Sequence, residues 1–139
     1  MRVEVALVAD YVAMTSDQKL IIGGVFDRIF ASDLPYVHPS MGLALRIRFD
    51  IDEDRDHQVM LRFIDPDGAA VMPELVAQLG FPPDAIAGEV RSMQLALGMG
   101  DVLFRKQGPH RVDILVDGQY LDSVELAVTL RPAPPSENV

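Results

Sequence analysis

The chain has 139 residues, 49% of them apolar, with 21 acidic against 12 basic side chains and a formal net charge of −9, which suits one domain with its own core and excludes global disorder. It contains no cysteine, so disulfides, thiol catalysis and Cys-ligated zinc or iron–sulfur sites are ruled out. The negative field repels phosphate backbones, no apolar run reaches membrane-spanning length, and Glu4 and Asp10 break any signal-peptide core; a cytoplasmic protein with neither nucleic acid nor membrane as partner is expected.

Val3, Val5 and Leu7 alternate with Arg2, Glu4 and Ala6 in a first strand running to about Ala13, and Thr15-Ser16-Asp17-Gln18 supplies a turn. Leu20-Ile21-Ile22 resumes, Gly23-Gly24 interrupts, and Val25 to Ala31 continues. A glycine pair inside a strand pattern predicts one long strand with a bend. Ser32 to Ser40, with Pro35 and Pro39, reads as a crossing loop.

Leu43, Leu45, Ile47 and Phe49 point one way and Arg46 and Arg48 the other. After the acidic turn Asp50 to Asp56, Val59, Leu61 and Phe63 continue inward with Arg62 outward, which predicts an in-register hairpin. Asp65-Pro66-Asp67-Gly68 ends that strand in a tight turn. Pro73-Glu74 followed by Leu79-Gly80 fits a short helix with Pro at its first position and Gly at its end, while a strand leading into a Pro82-Pro83 loop fits the same residues. Alternation returns weakly from Glu89 to Met99, through Val90, Met93, Leu95 and Leu97, and Gly98 and Gly100 end it.

His110 to Val116 and Val124 to Leu130 form a final hairpin with even-numbered residues inward on both strands. A two-residue Asp117-Gly118 turn would pair even with odd. Either the loop has three residues with Gly118 left-handed, or Asp122-Ser123 forms a bulge. The tail 132–139, with Pro132, Pro134 and Pro135, cannot continue a ladder. The predicted architecture is therefore all-β: a single-domain antiparallel β-sandwich over residues 1–131, Ig-like or jelly-roll-like, with seven or eight strands and at most one short helix, followed by a Pro-rich tail.

The segments Ala9-Asp10-Tyr11, Lys19 to Ile29, Arg62 to Gly68 and Val116-Asp117-Gly118 resemble those of a bacterial family of small β-rich domains of unknown function, over about Val5 to Val128. The resemblance implies a bacterial cytoplasmic β domain. It carries over no catalytic or ligand residue.

Arg46, Arg48 and Arg62 should project from one face of the predicted central hairpin, where forked guanidiniums could clasp carboxylates or phosphates; the plainer reading is Arg paired with acidic neighbours across strands. Asp50, Asp52 and Asp54, with Glu53 and Asp56, are the nearest approach to a Ca²⁺ ligand set. Arg55 and Leu61 stand where an EF-hand needs Gly and Glu, so a solvated turn, no metal and no cofactor are expected. His38, His57 and His110 lie on separate elements, each read as a surface or locally hydrogen-bonded histidine. A catalytic reading would need one of them to meet a carboxylate in a pocket.

No Gly-x-Ser-x-Gly elbow, P-loop or dinucleotide fingerprint occurs. Leu95, Leu97, Met99, Val102, Leu103 and Phe104 read as core, or else as an exposed edge suited to a partner. The expected protein is a non-catalytic binding or interaction domain acting through protein–protein contacts or self-association. The alternative is a small-ligand, carbohydrate or Ca²⁺-assisted binding module, which a cleft lined by Tyr11, Tyr36 or Tyr120 would favour.

Overall fold

A computed structural model of the chain describes residues 1–50, 56–80 and 91–131. They form nine strands and no helix: β1 (Arg2–Met14), β2 (Leu20–Phe26), β3 (Arg28–Ala31), β4 (Tyr36–Phe49), β5 (His57–Ile64), β6 (Leu75–Leu79), β7 (Arg91–Phe104), β8 (Gly108–Val116) and β9 (Gln119–Leu130). The strands make two packed sheets, in the orders β2-β1-β4-β7 and β3-β9-β8-β5-β6, with the predicted aliphatic core between them.

Several local expectations are corrected. β4 and β5 do not form a hairpin: β4 pairs with β1 and β7, and β5 with β6 and β8. Their alternation was read correctly, since Leu43, Leu45, Ile47, Val59, Leu61 and Phe63 are all buried. Alternation fixes which face is inward but not which strand lies alongside. The predicted crossing loop is shorter than expected, because β4 already begins at Tyr36. Pro39 is accommodated there because β1 pairs with β4 no further than Gly42. The stretch read as helix or strand holds β6, and positions 81–90 lie outside the described residues.

In β1, Val3 pairs with Ile47 and Val5 with Arg46, so Glu4 is the extra residue of a bulge. The bulge moves the inward positions from Met1 and Val3 to Ala6 and Val8, turning Val5 and Leu7 away from the face that simple alternation assigned them. Leu20–Ala31 is not one bent strand: the register with β1 runs unbroken past the glycine pair, and at Asp27 the chain changes sheets, so that β2 pairs with β1 and β3 with β9 in parallel, and the strands number nine rather than seven or eight. In the final hairpin Asp117 and Gly118 have φ of 52° and 80°, the two positive values of a two-residue turn. Parity is restored by a register shift between the pairs Leu115–Tyr120 and Ile114–Asp122, with Leu121 the extra residue. The bulge is the correct alternative, placed one residue before Asp122-Ser123.

Beyond Ala9, β1 leaves β4 and continues paired only with β2, making a free two-stranded arm. The arm lies over the outer face of its own sheet. Val12 Cγ2 stands 2.3 Å from the point where a β-carbon on Gly42 would sit, and the Gln94 side chain on β7 donates to the Gln18 carbonyl at the arm's turn. Gly42, which lies opposite Gly98 on β7, makes room for it. Gly42 and Ala44 are buried although their inward neighbours Leu43 and Leu45 face the opposite way.

Candidate functional site

The three arginines singled out from the sequence do not share a face. Arg46 and Arg48 project from β4 onto the outer face of the first sheet, while Arg62 belongs to the second sheet and pairs with Glu74 at 2.8 Å. At the β1 bulge, Glu4 accepts from Arg46 Nε at 2.9 Å and from Arg48 Nη1 at 3.3 Å, with Arg2 at 3.9 Å. The hydrogen bond from Arg46 holds the Glu4 carboxyl below the usual carboxylate range against the opposing effect of partial burial, and the charges of Arg46, Arg48 and Arg2 add to it. Among the described residues, three guanidiniums thus share one carboxylate, a local positive surplus on a chain of net charge −9.

Among the described residues this patch borders an edge of its sheet. Arg46 lies opposite Gln94 and Arg48 opposite Ser92 on β7, and β7 has β4 on one side and no strand on the other among the described residues. From Ser92 to Gly100 the edge carries no charged side chain and no proline, whereas natural edges are normally blunted by such residues. Of the apolar run read as core or edge, Met99, Val102 and Phe104 are buried, while Leu95, Leu97 and Leu103 are half-buried. Half of these side chains are core, and the strand that carries them is terminal in its sheet among the described residues.

Asp50 pairs with the Met1 amino group at 2.8 Å, while Asp52 and Asp54 lie outside the described residues. No group of three or more metal-ligating side chains occurs among the described residues. Two of the three histidines are buried rather than at the surface, His110 with a local hydrogen bond of the kind also expected. His57, fully buried, stacks on Phe49 with ring centroids 4.5 Å apart and has Nδ1 2.7 Å from Asp117 Oδ2. The other oxygen of Asp117 accepts from the Gln58 amide at 3.0 Å. A histidine therefore does meet a carboxylate, but as a clamp tying the β8–β9 turn to β5. His110 bonds through Nδ1 to the Gly108 carbonyl at 3.0 Å and packs edge-on against Phe104. It borders a recess of about 300 Å³ with Asp65, Arg105 and Lys106. Burial raises the Asp65 carboxyl, but the amides of Ala69 and Asp67 and the charges of Lys106 and His110 outweigh it and hold the group below its ordinary value.

His38 is partly exposed at a second recess, of about 280 Å³, where the chain crosses between the sheets. Asp10, Phe26, Arg28, Phe30, Tyr36 and His38 line it. The Tyr36 hydroxyl lies 3.2 Å from His38 Nδ1, and the His38 ring leans on both Phe26 and Tyr36, with centroids 6.0 and 5.9 Å away. Of the tyrosines, Tyr36 is the one found in a recess, while Tyr11 and Tyr120 are exposed. Sequence reasoning missed Glu4, Asp117, Asp10 and Arg28 as members of these clusters. The bulge brings Glu4 to its arginines, the crossing at Asp27 brings Arg28 to the recess with Asp10, and the β8–β9 turn brings Asp117 to His57, and none of these meetings leaves a mark in the apolar pattern.

No curated protein and no solved structure matches the chain. One protein family does, over residues 4–129, and it is described as "Family of unknown function (DUF6941)". Among the described residues, no helix is long and apolar enough to cross a membrane.

Proposed function

The chain belongs to that family of unknown function, and we propose that it is a non-catalytic binding domain that receives an extended, acidic segment of a protein partner as an added strand on β7. The observation that carries this reading is the long β7 edge, uncharged from Ser92 to Gly100, running beside the Arg2, Arg46 and Arg48 surplus. Main-chain hydrogen bonds along an open edge supply affinity with little demand on side chains. The guanidiniums supply orientation and a faster encounter with carboxylates. The local arginines at Arg2, Arg46 and Arg48, rather than the net charge of −9, are what favour an acidic segment. The His57–Asp117 pair suits a structural role better than a catalytic one, because the imidazole is shut off from solvent.

The test is capture from a lysate of the source organism with four baits: wild type, Gly98→Asp/Gly100→Asp, Arg46→Ala/Arg48→Ala and Arg62→Ala. A β-carbon at Gly98 meets nothing within 4 Å and one at Gly100 only the Pro39 carbonyl at 3.8 Å, so the edge variant has room to fold. The expected result is a protein retained by wild type and Arg62→Ala, lost by the other two, that protects the β7 amides from hydrogen exchange. Equal retention by all four baits, or none by wild type, overturns the reading. Dimers seen by sedimentation and abolished by the edge variant would replace the acidic partner with a second copy.

A further inference from the structure

Independently of the β7 edge, the recess where the chain changes sheets has the makings of a small-ligand site. It is built from both ends of the crossing. Phe26 closes β2, Arg28 and Phe30 stand on β3 just past Asp27, and Tyr36 and His38 open β4. Arg28 makes no ion pair among the described residues, so its forked donors remain available to an acceptor. Arg131 adds a second guanidinium nearby, its Cζ 3.9 Å from the centroid of the Phe30 ring.

The polarity of the other groups follows from the Tyr36–His38 contact. A phenol is the stronger donor of the two, so Tyr36 donates to Nδ1 and His38 keeps its proton on Nε2. His38 then offers a donor, as Arg28 does. Asp10 supplies the opposite chemistry. Its Oδ2 lies 2.6 Å from the point where a β-carbon on Gly24 would sit, so the carboxylate is folded down over β2. Gly24, with φ of 72°, leaves room for it. The site thus combines donors with a cation, one acceptor carboxylate and aromatic walls.

Size and charge narrow the class. A volume of about 280 Å³ is at the lower end of ligand pockets. Asp10 and the overall charge of −9 disfavour polyanions. We infer that this recess binds a small monocarboxylate with a planar body and a hydrogen-bond donor at its far end: the carboxylate on Arg28 and His38, the planar body on Phe26, Phe30 and Tyr36, the donor on Asp10. Such a ligand uses each polar group once. A sugar would leave the guanidinium without an anion.

The experiment is an NMR titration of the full chain, following the His38 and Tyr36 ring signals with para-hydroxybenzoate, para-hydroxybenzamide and methyl glucoside as probes. Saturable shifts with para-hydroxybenzoate are expected, with a Kd on the order of 1 mM for so small a molecule. The affinity should fall about tenfold with the neutral amide and in Arg28→Ala, the loss of roughly one charged hydrogen-bonded contact. Arg28→Gln, which keeps the stem and one donor pair, serves as a second variant should Arg28→Ala disturb β3. Equal binding of acid and amide, shifts indifferent to both Arg28 variants, or no saturation by about 10 mM overturns the inference. Saturable binding of methyl glucoside alone would also overturn it, in favour of carbohydrate. Because the β7 edge takes no part, the Gly98→Asp/Gly100→Asp variant should titrate like wild type.

Discussion

Replacing Gly42 by Ala tests whether the β1–β2 arm is packed onto its own sheet. The added β-carbon would lie 2.3 Å from Val12 Cγ2 and 3.1 Å from both Val12 Cβ and Cγ1, far inside ordinary contact. The branched Val12 cannot swing clear with one rotation, because χ1 of a β-branched residue trades one methyl for the other. The arm must therefore lift. Overpacking of this kind costs about 1–3 kcal/mol. Val12→Ala alone removes two half-buried methyl groups and should cost about 1 kcal/mol. In the double variant the worst clash disappears while the 3.1 Å approach of the Val12 β-carbon remains, so the loss should fall short of the sum of the single losses by about 1 kcal/mol or more. Urea denaturation of the four proteins measures this coupling, and the Gln94 side-chain amide signal reports whether its bond to the Gln18 carbonyl survives. Strictly additive losses, or a Gly42→Ala protein as stable as wild type, would show that the arm does not rest on β4.

Asp117→Ala should cost about 2–3 kcal/mol in urea denaturation, because it removes the acceptor of both His57 Nδ1 and the Gln58 amide, at a position whose φ of 52° disfavours alanine. Asp117→Asn, which keeps one acceptor and tolerates that φ, should lose clearly less. Equal losses would assign the effect to the backbone alone. Glu4 titrates below the ordinary carboxylate range in the fold, so the unfolded chain takes up its proton first as pH falls. Its contribution is complete above that range and disappears as the pH drops through the lower folded pKa. A Glu4 carboxyl ¹³C midpoint at or above that of a free glutamate side chain would contradict the shared Arg46–Arg48 contact. Arg62→Ala should change stability by less than about 1 kcal/mol, since its partner Glu74 is half-exposed. A larger loss would mean that the outer face of β5 is shielded from solvent.

How much of this was legible in the sequence varies with the physical cause. The period-two apolar pattern of Leu43 to Phe49, Val59 to Phe63 and Val112 to Val116 states which side chains are buried, because inward and outward positions simply alternate along a strand. Asp117-Gly118 announced its turn, because few residue types accept two successive positive φ values. The even parity of the flanking strands also required an extra residue, found at Leu121. The local chemistry of the chain therefore determined that it is all-β, where its core lies and where its last hairpin turns.

Pairing was a different matter. β4 and β5 are adjacent in sequence and alternate compatibly, yet each finds its ladder with other strands. Backbone hydrogen bonds are indifferent to side-chain identity, and burying both faces decides the partner. That choice sent Arg62 to the opposite side of the sandwich from Arg46 and Arg48 and left β7 as an edge. The tertiary fold alone brought Glu4 to two arginines, Asp117 to His57, and Asp10 and Arg28 to the Tyr36–His38 recess. Each is a meeting of polar residues from separate strands, set by bulges, a sheet crossing and strand order, to which the apolar periodicity of the sequence is blind.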